Sequence, residues 1–360
     1  MAGQETPRRP TVTRNDVARL AGVSTAVVSY VINGTKNVSP GTKARVHHAV
    51  EKLGYQPNRT ARSLRMGSSE MFGMVVPDAT NQFFSSLAHH VEQAAAERGY
   101  TLLTANADGS LNVERKQLDV LVSRGVDGLF ICSNIEQPDV HSLRDAGIPF
   151  VLVNQFDELP GVNSVGVDLY QGAFDAVTHL VEHGHRTVGF IEGKTFTGVG
   201  DARQAGWLAA IQAHHLVPGP VVMRGFSTQG GYDAGRELIL AGKVPEALFV
   251  GSDQLGVGLL RALHESGLRV PHDVAIVSFD GTIDSEFSWP PLTTISQPVD
   301  LMARAAVEAL IEGHHTPRNQ VFSPTLVRRV SCGCNSPGLS PSSPHNPGGS
   351  LNDGAVRASR

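Results

Sequence analysis

Residues 16–33 have the sequence DVARLAGVSTAVVSYVIN, which carries the clearest helical pattern of the N-terminal region. Aliphatic side chains recur in it at intervals of three and four, which is the spacing of one helix face. Gly22 breaks the pattern at a tight turn where a Cβ would be costly, and Ser24 is a residue type that begins helices. The stretch therefore predicts two short helices, near residues 14–20 and 24–33.

A third helix follows near residues 40–53, with Ser39 as a candidate N-cap, Pro40 in its first turn and Gly54 at its end. In a helix-turn-helix, the second helix enters the major groove and its N-terminal residues meet base edges. Small or polar side chains lie on one face of the second helix here: Thr25, Ala26, Ser29 and Tyr30. Three helices of this kind also occur in proteins where they only pack against one another and bind no DNA. The charge distribution and the segment that follows must distinguish these two interpretations.

The charge of the chain is divided unevenly. Residues 1–66 hold eleven Lys and Arg against three Asp and Glu, whereas the remainder holds nineteen against thirty-one, from totals of 30 and 34. A cationic head on a larger anionic body is typical of a nucleic-acid-binding module joined to another kind of domain. The alternative is a solvated basic tail.

After Gly67 the pattern changes to short apolar runs alternating with helical segments. Buried strands are predicted near residues 71–76, 100–105, 127–132, 149–153, 187–192, 246–251 and 273–279. Helices are predicted near residues 85–98, 113–124, 171–183, 203–214, 253–266 and 300–312. This alternation predicts an α/β fold with parallel sheets covered by helices, and its length favours two lobes. We expect disorder at 1–10 and in the Ser-, Pro- and Gly-rich segment 335–360.

Composition excludes several classes of protein and site. Three cysteines form no disulfide framework, and no apolar run approaches the roughly 20 residues that span a bilayer, so we expect a cytoplasmic protein without a membrane partner. Adjacent histidines point about 100° apart on a helix and do not chelate, and Cys332-Gly333-Cys334 has no evident partner ligands. We predict no metal, no cofactor and no catalytic residues, hence no enzyme.

Residues 54–65, GYQPNRTARSLR, complete a pattern that resembles the LacI/GalR repressor family. The resemblance rests on residues 16–33, 38–40 and 54–65, and continues at HGHRTVG (183–189), RQAGW (203–207), LRVPHDV (268–274), FDG (279–281) and PPLTTI (290–295). It covers about residues 11–332. Each motif alone is weak, but so many in the family's order are specific.

The resemblance implies a helix-turn-helix headpiece (11–57), a hinge helix (58–66) and a two-lobed effector-binding and dimerisation core (67–334) like a periplasmic sugar-binding protein. The chain would cross between lobes three times, with 71–165 and 295–317 in one lobe and 166–292 and 320–331 in the other. The implied partners are a second copy of the chain, a small-molecule effector and pseudo-palindromic, double-stranded operator DNA.

The family's functional positions carry over residue by residue. For DNA they are Thr13, Ser24, Thr25, Ala26, Ser29, Tyr30, Asn33, Asn37, Asn58, Arg59, Ala61 and Leu64, with Leu64 as a minor-groove wedge. For the effector they are Phe83, Phe84, Asp168, Arg203, Phe226, Ser252 and Asp280. Two alternatives remain open, because Asp280 is also suited to cap a helix and Arg203 to pair with Asp201 or Glu237. Ser252-Asp253-Gln254 departs from the family's common Asn-Asp.

The sequence thus predicts a nucleoid-associated transcriptional regulator of the repressor type, whose operator affinity a small effector controls. A sugar or a similar polyhydroxylated metabolite is the expected effector. A solute-binding protein of an importer shares the core fold, but it would carry a signal peptide and no cationic head. A sugar-active α/β enzyme would require a catalytic constellation that the sequence lacks.

Overall fold

A computed structural model describes residues 12–56, 67–133, 140–154, 161–193, 202–313 and 318–334. The chain divides between Ser69 and Glu70 into two compact units. The predicted hinge helix and both predicted tails lie outside the described residues, as do Asn58, Arg59, Ala61 and Leu64.

The first unit contains three helices: α1 (Arg14–Ala21), α2 (Thr25–Asn33) and α3 (Pro40–Leu53). Gly22 and Gly54 end α1 and α3 with φ of 62°, a left-handed conformation in which glycine carries no Cβ strain. One apolar face of each helix meets the others around Val17, Val28 and Val46, all fully buried. The three helices expected from the spacing are thus present.

The second unit is built on two six-stranded sheets. The strands of sheet A are β1 (Met71–Val76), β2 (Thr101–Asn106), β3 (Gly128–Ile131), β4 (Phe150–Val153), β5 (Asn163–Val167) and β11 (Asn319–Phe322). Those of sheet B are β6 (Val188–Gly193), β7 (Val221–Arg224), β8 (Ala247–Val250), β9 (Ala275–Asp280), β10 (Thr293–Ser296) and β12 (Thr325–Val327). Sheet A has the strand order β11-β5-β4-β3-β1-β2 and is parallel throughout. Sheet B has the order β12-β10-β9-β8-β6-β7, with only the β10–β12 pair antiparallel.

Helices cover both faces of each sheet, as parallel strands buried on two sides require. Sheet A is covered by α4 (Gln82–Glu97), α5 (Leu111–Ser123), α6 (His141–Asp145) and α12 (Val299–Glu312). Sheet B is covered by α7 (Leu169–Glu182), α8 (Ala202–Ala213), α9 (Thr228–Leu240) and α10 (Asp253–Glu265), and the short α11 (Ile283–Phe287) follows β9. The α/β class with parallel sheets in two lobes is confirmed. No described helix has both the length and the apolar character needed to cross a membrane.

The lobe boundaries lie a few residues later than predicted. β5 stays in sheet A as far as Val167, β10 pairs with β9 in sheet B, and β11 pairs with β5 in sheet A. The expected placement of 295–317 in the first lobe and of 320–322 in the second was therefore wrong at these strands. Backbone pairing partners far apart in sequence set the boundaries, and local apolar patterns do not reveal them.

Candidate functional site

Helix α2 presents one face to the interior of the first unit and another to solvent. Val28 and Val31 are buried, whereas Thr25 and Ala26 in its first turn are exposed. Ser29, Tyr30 and Asn33 are half-buried along the same helix, and Asn37 is exposed beyond its end. The first turn of α2 is thus free to contact a partner.

Several polar side chains of the first unit take part in hydrogen bonds or a cation–π contact within the unit. Thr13 Oγ1 accepts from the Asp16 amide at 3.4 Å, and Ser24 Oγ accepts from the Val27 amide at 3.3 Å, so both residues cap helices. The Thr13 hydroxyl also donates to the Asp16 carboxylate at 2.6 Å. The hydrogen bonds from Thr13 lower the pKa of Asp16. The Lys36 ammonium lies 4.7 Å from the centre of the Tyr30 ring, in cation–π range.

The turn between α1 and α2 is held by α3. Arg45 Nε donates to the Ala21 carbonyl oxygen at 3.2 Å. Arg19, Lys36 and Lys43 are exposed. A small rigid helical unit with exposed cations and a free helix end can lie against a phosphate backbone while α2 meets base edges.

Between the two lobes of the second unit is a cleft at the carboxyl ends of the parallel strands, where α/β proteins commonly bind ligands. Its lining residues from the first lobe are Asn81, Phe83, Phe84 and Asn154, and those from the second lobe and the crossovers are Leu169, Arg203, Phe226, Asp280 and Gln297. Five of the seven predicted effector residues are therefore brought together: Phe83, Phe84, Arg203, Phe226 and Asp280.

Arg203 is held at the wall of the cleft by several groups. Its Nη1 donates to the Gly251 carbonyl oxygen at 2.6 Å, and its guanidinium carbon lies 5.1 Å from the centre of the Phe226 ring. Gly193, at the end of β6, leaves the space that the Phe226 ring occupies, because a Cβ there would overlap the ring. The predicted alternative partner Glu237 binds Arg224 instead.

Asp280 is a buried carboxyl group at the end of β9, and it does not cap a helix. Its Oδ1 accepts from Gln297 Nε2 at 2.9 Å. Burial, and then the charge of Asp253, raise the pKa of Asp280 well above its ordinary value, while Arg203 opposes the shift. Gln297 Oε1 is buried, and no described residue donates a hydrogen bond to it. The cleft therefore offers acceptors at Asp280 and Gln297 and a cation at Arg203.

Asp253, which the sequence analysis did not select, supports the turn after Asp280. Its carboxylate accepts hydrogen bonds from the hydroxyls of Ser278, Thr282 and Thr294 at 2.5 to 2.9 Å, and from the Thr282 amide at 2.6 Å. Burial raises its pKa, and these hydrogen bonds oppose the shift. The network joins α10, β9 and β10 directly beneath the cleft.

Asp168 and Ser252 are not among the residues that line the cleft. Asp168 Oδ1 accepts from the Gln171 amide at 2.8 Å and caps the start of α7, while Ser252 Oγ accepts from the Leu255 amide at 3.2 Å and caps the start of α10. Four lining residues were not predicted from the sequence: Asn81, Asn154, Leu169 and Gln297. Only their positions after strands or at the start of a helix offered a signal.

The cleft is narrow, with a free volume of about 40 Å³. Pockets that hold small ligands commonly enclose about 300–1,000 Å³, so a ligand of sugar size requires the lobes or their side chains to move apart. A larger depression of about 360 Å³ lies beside α4 and β2, where Phe84, His89 and Leu102 contribute to its wall. It lacks the carboxylate and guanidinium pair of the cleft.

Comparison with known families gives two matches along the chain. Residues 13–58 match the family described as bacterial regulatory proteins, lacI family. Residues 177–332 match the periplasmic binding protein-like domain.

Similar proteins align over nearly their whole length. The ribose operon repressor of Escherichia coli (strain K12) is 36% identical over 333 residues, covering 89% of this chain and 99% of the relative. The HTH-type transcriptional repressor PurR of Photobacterium profundum is 33% identical, covering 89% and 98%. Among solved structures, the lac repressor dimer bound to operator and the anti-inducer ONPF has a TM-score of 0.81 at 29% identity, covering 90% and 99%. A LacI-family regulator from Enterococcus faecium with bound ribose has a TM-score of 0.66 at 28% identity, covering 72% and 98%.

Proposed function

The chain belongs to the LacI family of bacterial regulatory proteins, and from this premise we propose that it is a transcriptional repressor whose affinity for operator DNA is controlled by a small effector. Residues 11–57 form the DNA-binding headpiece, 58–66 the hinge, and 67–334 the effector-binding and dimerisation core. The protein acts as a homodimer on a pseudo-palindromic operator, at the chromosomal DNA of the cytoplasm.

The observation that carries the proposal is the occurrence of two sites in one chain. Helix α2 has an exposed first turn on a cationic unit, and the second unit has a cleft at the carboxyl ends of two parallel sheets. The first site is suited to bases and phosphates, and the second to a small molecule. Thr25, Ala26 and Tyr30 are the residues that we assign to base contacts.

The cleft chemistry favours a sugar or a similar polyhydroxylated effector. Carboxylate and guanidinium groups bind vicinal hydroxyls at two points, and aromatic faces cover the apolar face of a ring. A hydroxyl donor from the ligand would also satisfy Gln297 Oε1. Arg203, Asp280, Gln297, Phe226 and Phe83 are therefore our first assignments.

The turn after Asp280 connects the effector cleft to helix α11, and thus to the proposed dimer interface. Asp253 fixes Thr282 in this turn, and α11 begins at the next residue with exposed apolar side chains. An effector that displaces Asp280 would therefore move α11, which we assign to the dimer interface.

The importer and enzyme alternatives are not favoured. Each of the repressors named above aligns with this chain through both its headpiece and its core, whereas a solute-binding protein would align with the core alone. The relatives are named as regulators, and we propose no enzymatic activity for this chain.

A selection from randomised duplexes with the full-length protein tests DNA binding. We expect a consensus of two inverted half-sites, and a fluorescence-anisotropy affinity for it that falls steeply with salt because neutralised phosphates release counterions. A variant lacking residues 1–66 should not bind. If the deletion variant binds as tightly as the full chain, the headpiece is not the DNA-binding module.

A thermal-shift screen with pentoses, hexoses, disaccharides and purines tests the effector site, because a ligand that binds only the native state raises the melting temperature. Arg203→Ala should abolish the shift and leave operator binding without effector intact. Arg224→Ala is the matched control, since Arg224 binds Glu237 and does not line the cleft. An unchanged ligand shift in Arg203→Ala would place the effector elsewhere.

A further inference from the structure

Two histidines and two cysteines come together in the second lobe, although they are separated by about 150 positions in the sequence. His179 lies in α7 and His183 directly after it, while Cys332 and Cys334 follow β12. Their four candidate ligand atoms all lie within 4.8 Å of one another. Cys332-Gly333-Cys334 has no evident partner ligands in the sequence, but in the fold the two histidines lie beside it.

Three of the four S···N distances within the cluster match those of a tetrahedral metal site. His179 Nε2 lies 3.3 Å from Cys332 Sγ and 3.5 Å from Cys334 Sγ, and His183 Nε2 lies 3.3 Å from Cys334 Sγ. With Zn–S bonds of about 2.3 Å and Zn–N bonds of about 2.0–2.1 Å, a regular tetrahedron has S···N edges of about 3.5 Å. A cation at the centre therefore requires only small shifts of the side chains.

The backbone places both pairs of ligands toward one point. His179 and His183 are four residues apart, which brings them to the same helix face, and their ring centroids are 4.7 Å apart. Gly333 separates the two cysteines with φ of 94°, a conformation that glycine adopts without strain. Neither the two histidines nor the two cysteines are among the residues that line the cleft between the lobes.

The surroundings of the cluster fit thiolate ligands and an entry path. The Thr293 hydroxyl donates to Cys332 Sγ at 3.0 Å, a hydrogen bond that stabilises a thiolate and orients it. His179 and Cys332 are buried, Cys334 is half-buried and His183 is exposed, so a cation can enter from the solvent side. Two thiolates would neutralise the charge of one divalent cation.

We propose that His179, His183, Cys332 and Cys334 form a closed, four-coordinate site for one Zn²⁺ ion. Two nitrogen and two sulfur ligands leave no open coordination position, so the site is structural and not catalytic. The ion would fasten the segment after β12, which follows the last crossover between the lobes, to α7, whose first residue Leu169 lines the cleft.

The test uses the full-length protein, purified under reducing conditions without a polyhistidine tag. We expect elemental analysis to find one Zn²⁺ per chain after dialysis against a weak chelator. Replacement by Co²⁺ should produce the charge-transfer absorption of thiolate ligands and the intense visible bands of a tetrahedral ion. A strong chelator should lower the melting temperature, and added Zn²⁺ should restore it.

Two variants and two matched controls assign the ligands. Cys334→Ser and His183→Gln should lose the bound Zn²⁺, and both positions are accessible enough for the fold to tolerate the change. His185→Gln, two residues from the cluster, and Cys132→Ala, in the other lobe, should retain it.

Three results would overturn the proposal. The first is a wild-type Zn²⁺ content no higher than that of Cys334→Ser. The second is a Co²⁺ adduct without thiolate absorption, which would indicate adventitious binding to surface histidines. The third is a disulfide between Cys332 and Cys334 in protein purified with reductant.

Discussion

At the scale of single residues, Asp280 combines two unfavourable features. It has φ of 114°, a conformation rare for a residue with a Cβ, and the residue is only 6% exposed. Backbone strain and a buried titratable group of this kind persist where the surrounding structure enforces them, and they concentrate at binding sites.

The raised pKa of Asp280 predicts a pH-dependent difference between the wild type and Asp280→Asn. Because the folded state holds this proton more tightly than the unfolded state, the wild type loses stability as pH rises from about 4, the ordinary Asp pKa, toward the raised value. Asn removes this loss. The melting temperature of the variant relative to the wild type should therefore rise by about a few degrees between pH 4 and pH 8.

Asp253→Asn is the comparison, measured over the same pH series by differential scanning fluorimetry. Burial raises the pKa of Asp253 as well, but Asp253 accepts four hydrogen bonds, so an amide there should lower the melting temperature below that of the wild type throughout the pH series. A loss in Asp280→Asn that does not change with pH would mean that Asp280 has a purely structural role.

Tyr30 should set part of the base preference. A phenol has one hydroxyl and a ring, which can meet a thymine methyl group but cannot make a bidentate contact with guanine. Tyr30→Arg should change the preferred base in each half-site, and Tyr30→Phe should change it least. The measurement is the duplex selection described above; the same consensus for Tyr30→Arg and wild type would remove Tyr30 from base contact.

At the scale of elements, the helices of the first unit begin in different ways. Thr13 and Asp16 form a reciprocal capping box at α1, whereas Ser39 makes no capping hydrogen bond at α3 and donates to the Thr42 hydroxyl at 3.0 Å. The sequence offered Ser39 as a candidate cap, and only the geometry distinguishes it from Thr13.

Thr13→Ala should therefore destabilise α1 by about 1 kcal/mol, and Ser39→Ala should change α3 by only a few tenths. Hydrogen–deuterium exchange of the full-length protein reports local opening. Exchange of the amides of α1 should accelerate about fivefold in Thr13→Ala. Equal effects of the two variants on their own helices would contradict the role assigned to the capping box.

The hinge prediction concerns Leu64, which lies outside the described residues. An isolated helix shorter than about 12 residues is marginal in water, so we expect residues 58–65 to fold only on specific DNA, with Leu64 wedged into the minor groove. Leu64→Gly should greatly weaken specific binding and spare the weak non-specific binding carried by the neighbouring arginines. Leu64→Met, which keeps a large apolar side chain, is the control. Equal loss of both binding modes in Leu64→Gly would exclude a wedge.

At the scale of the whole molecule, α11 and the turn after it present an exposed apolar surface. Ile283, Phe287 and Trp289 are 55%, 76% and 88% exposed. Such a group of large apolar side chains is typical of an association surface. The homodimer proposed above would place this surface against the second copy of the chain.

Phe287→Lys should shift the protein toward monomers in analytical ultracentrifugation, because a charge would be buried at the interface. Operator affinity should fall with it, since each half-site would be bound separately. Leu240→Lys is the matched control, because Leu240 is also 76% exposed but is the last residue of a different helix, α9. If Phe287→Lys remains as dimeric as Leu240→Lys, the interface lies on another surface.

Local patterns in the sequence determined the element types and the class of the fold. The three helices of the first unit, the strands with continuous apolar runs and the amphipathic helices α7 and α10 all follow from spacing within about ten residues. The family motifs identified Arg203, Phe226 and Asp280, which the cleft brings together. These features depend on residues close together in the sequence, so a single amino-acid sequence is sufficient to predict them.

The tertiary structure decided what depends on distant residues. Helix α9 was not predicted because it is rich in glycine. In the fold its glycines allow close packing: Gly231 lies against the Leu255 backbone of α10, where a Cβ would overlap. The short strands β10, β11 and β12 are held in their sheets by pairing with other strands: β10 with β9 and β12, and β11 with β5. Gln297 lies in the cleft because β10, which precedes it, pairs with β9. His179 contacts Cys332 although the two residues are 153 positions apart in the sequence. Contacts between distant segments leave no local period in the sequence, and the packing of the folded chain alone specifies them.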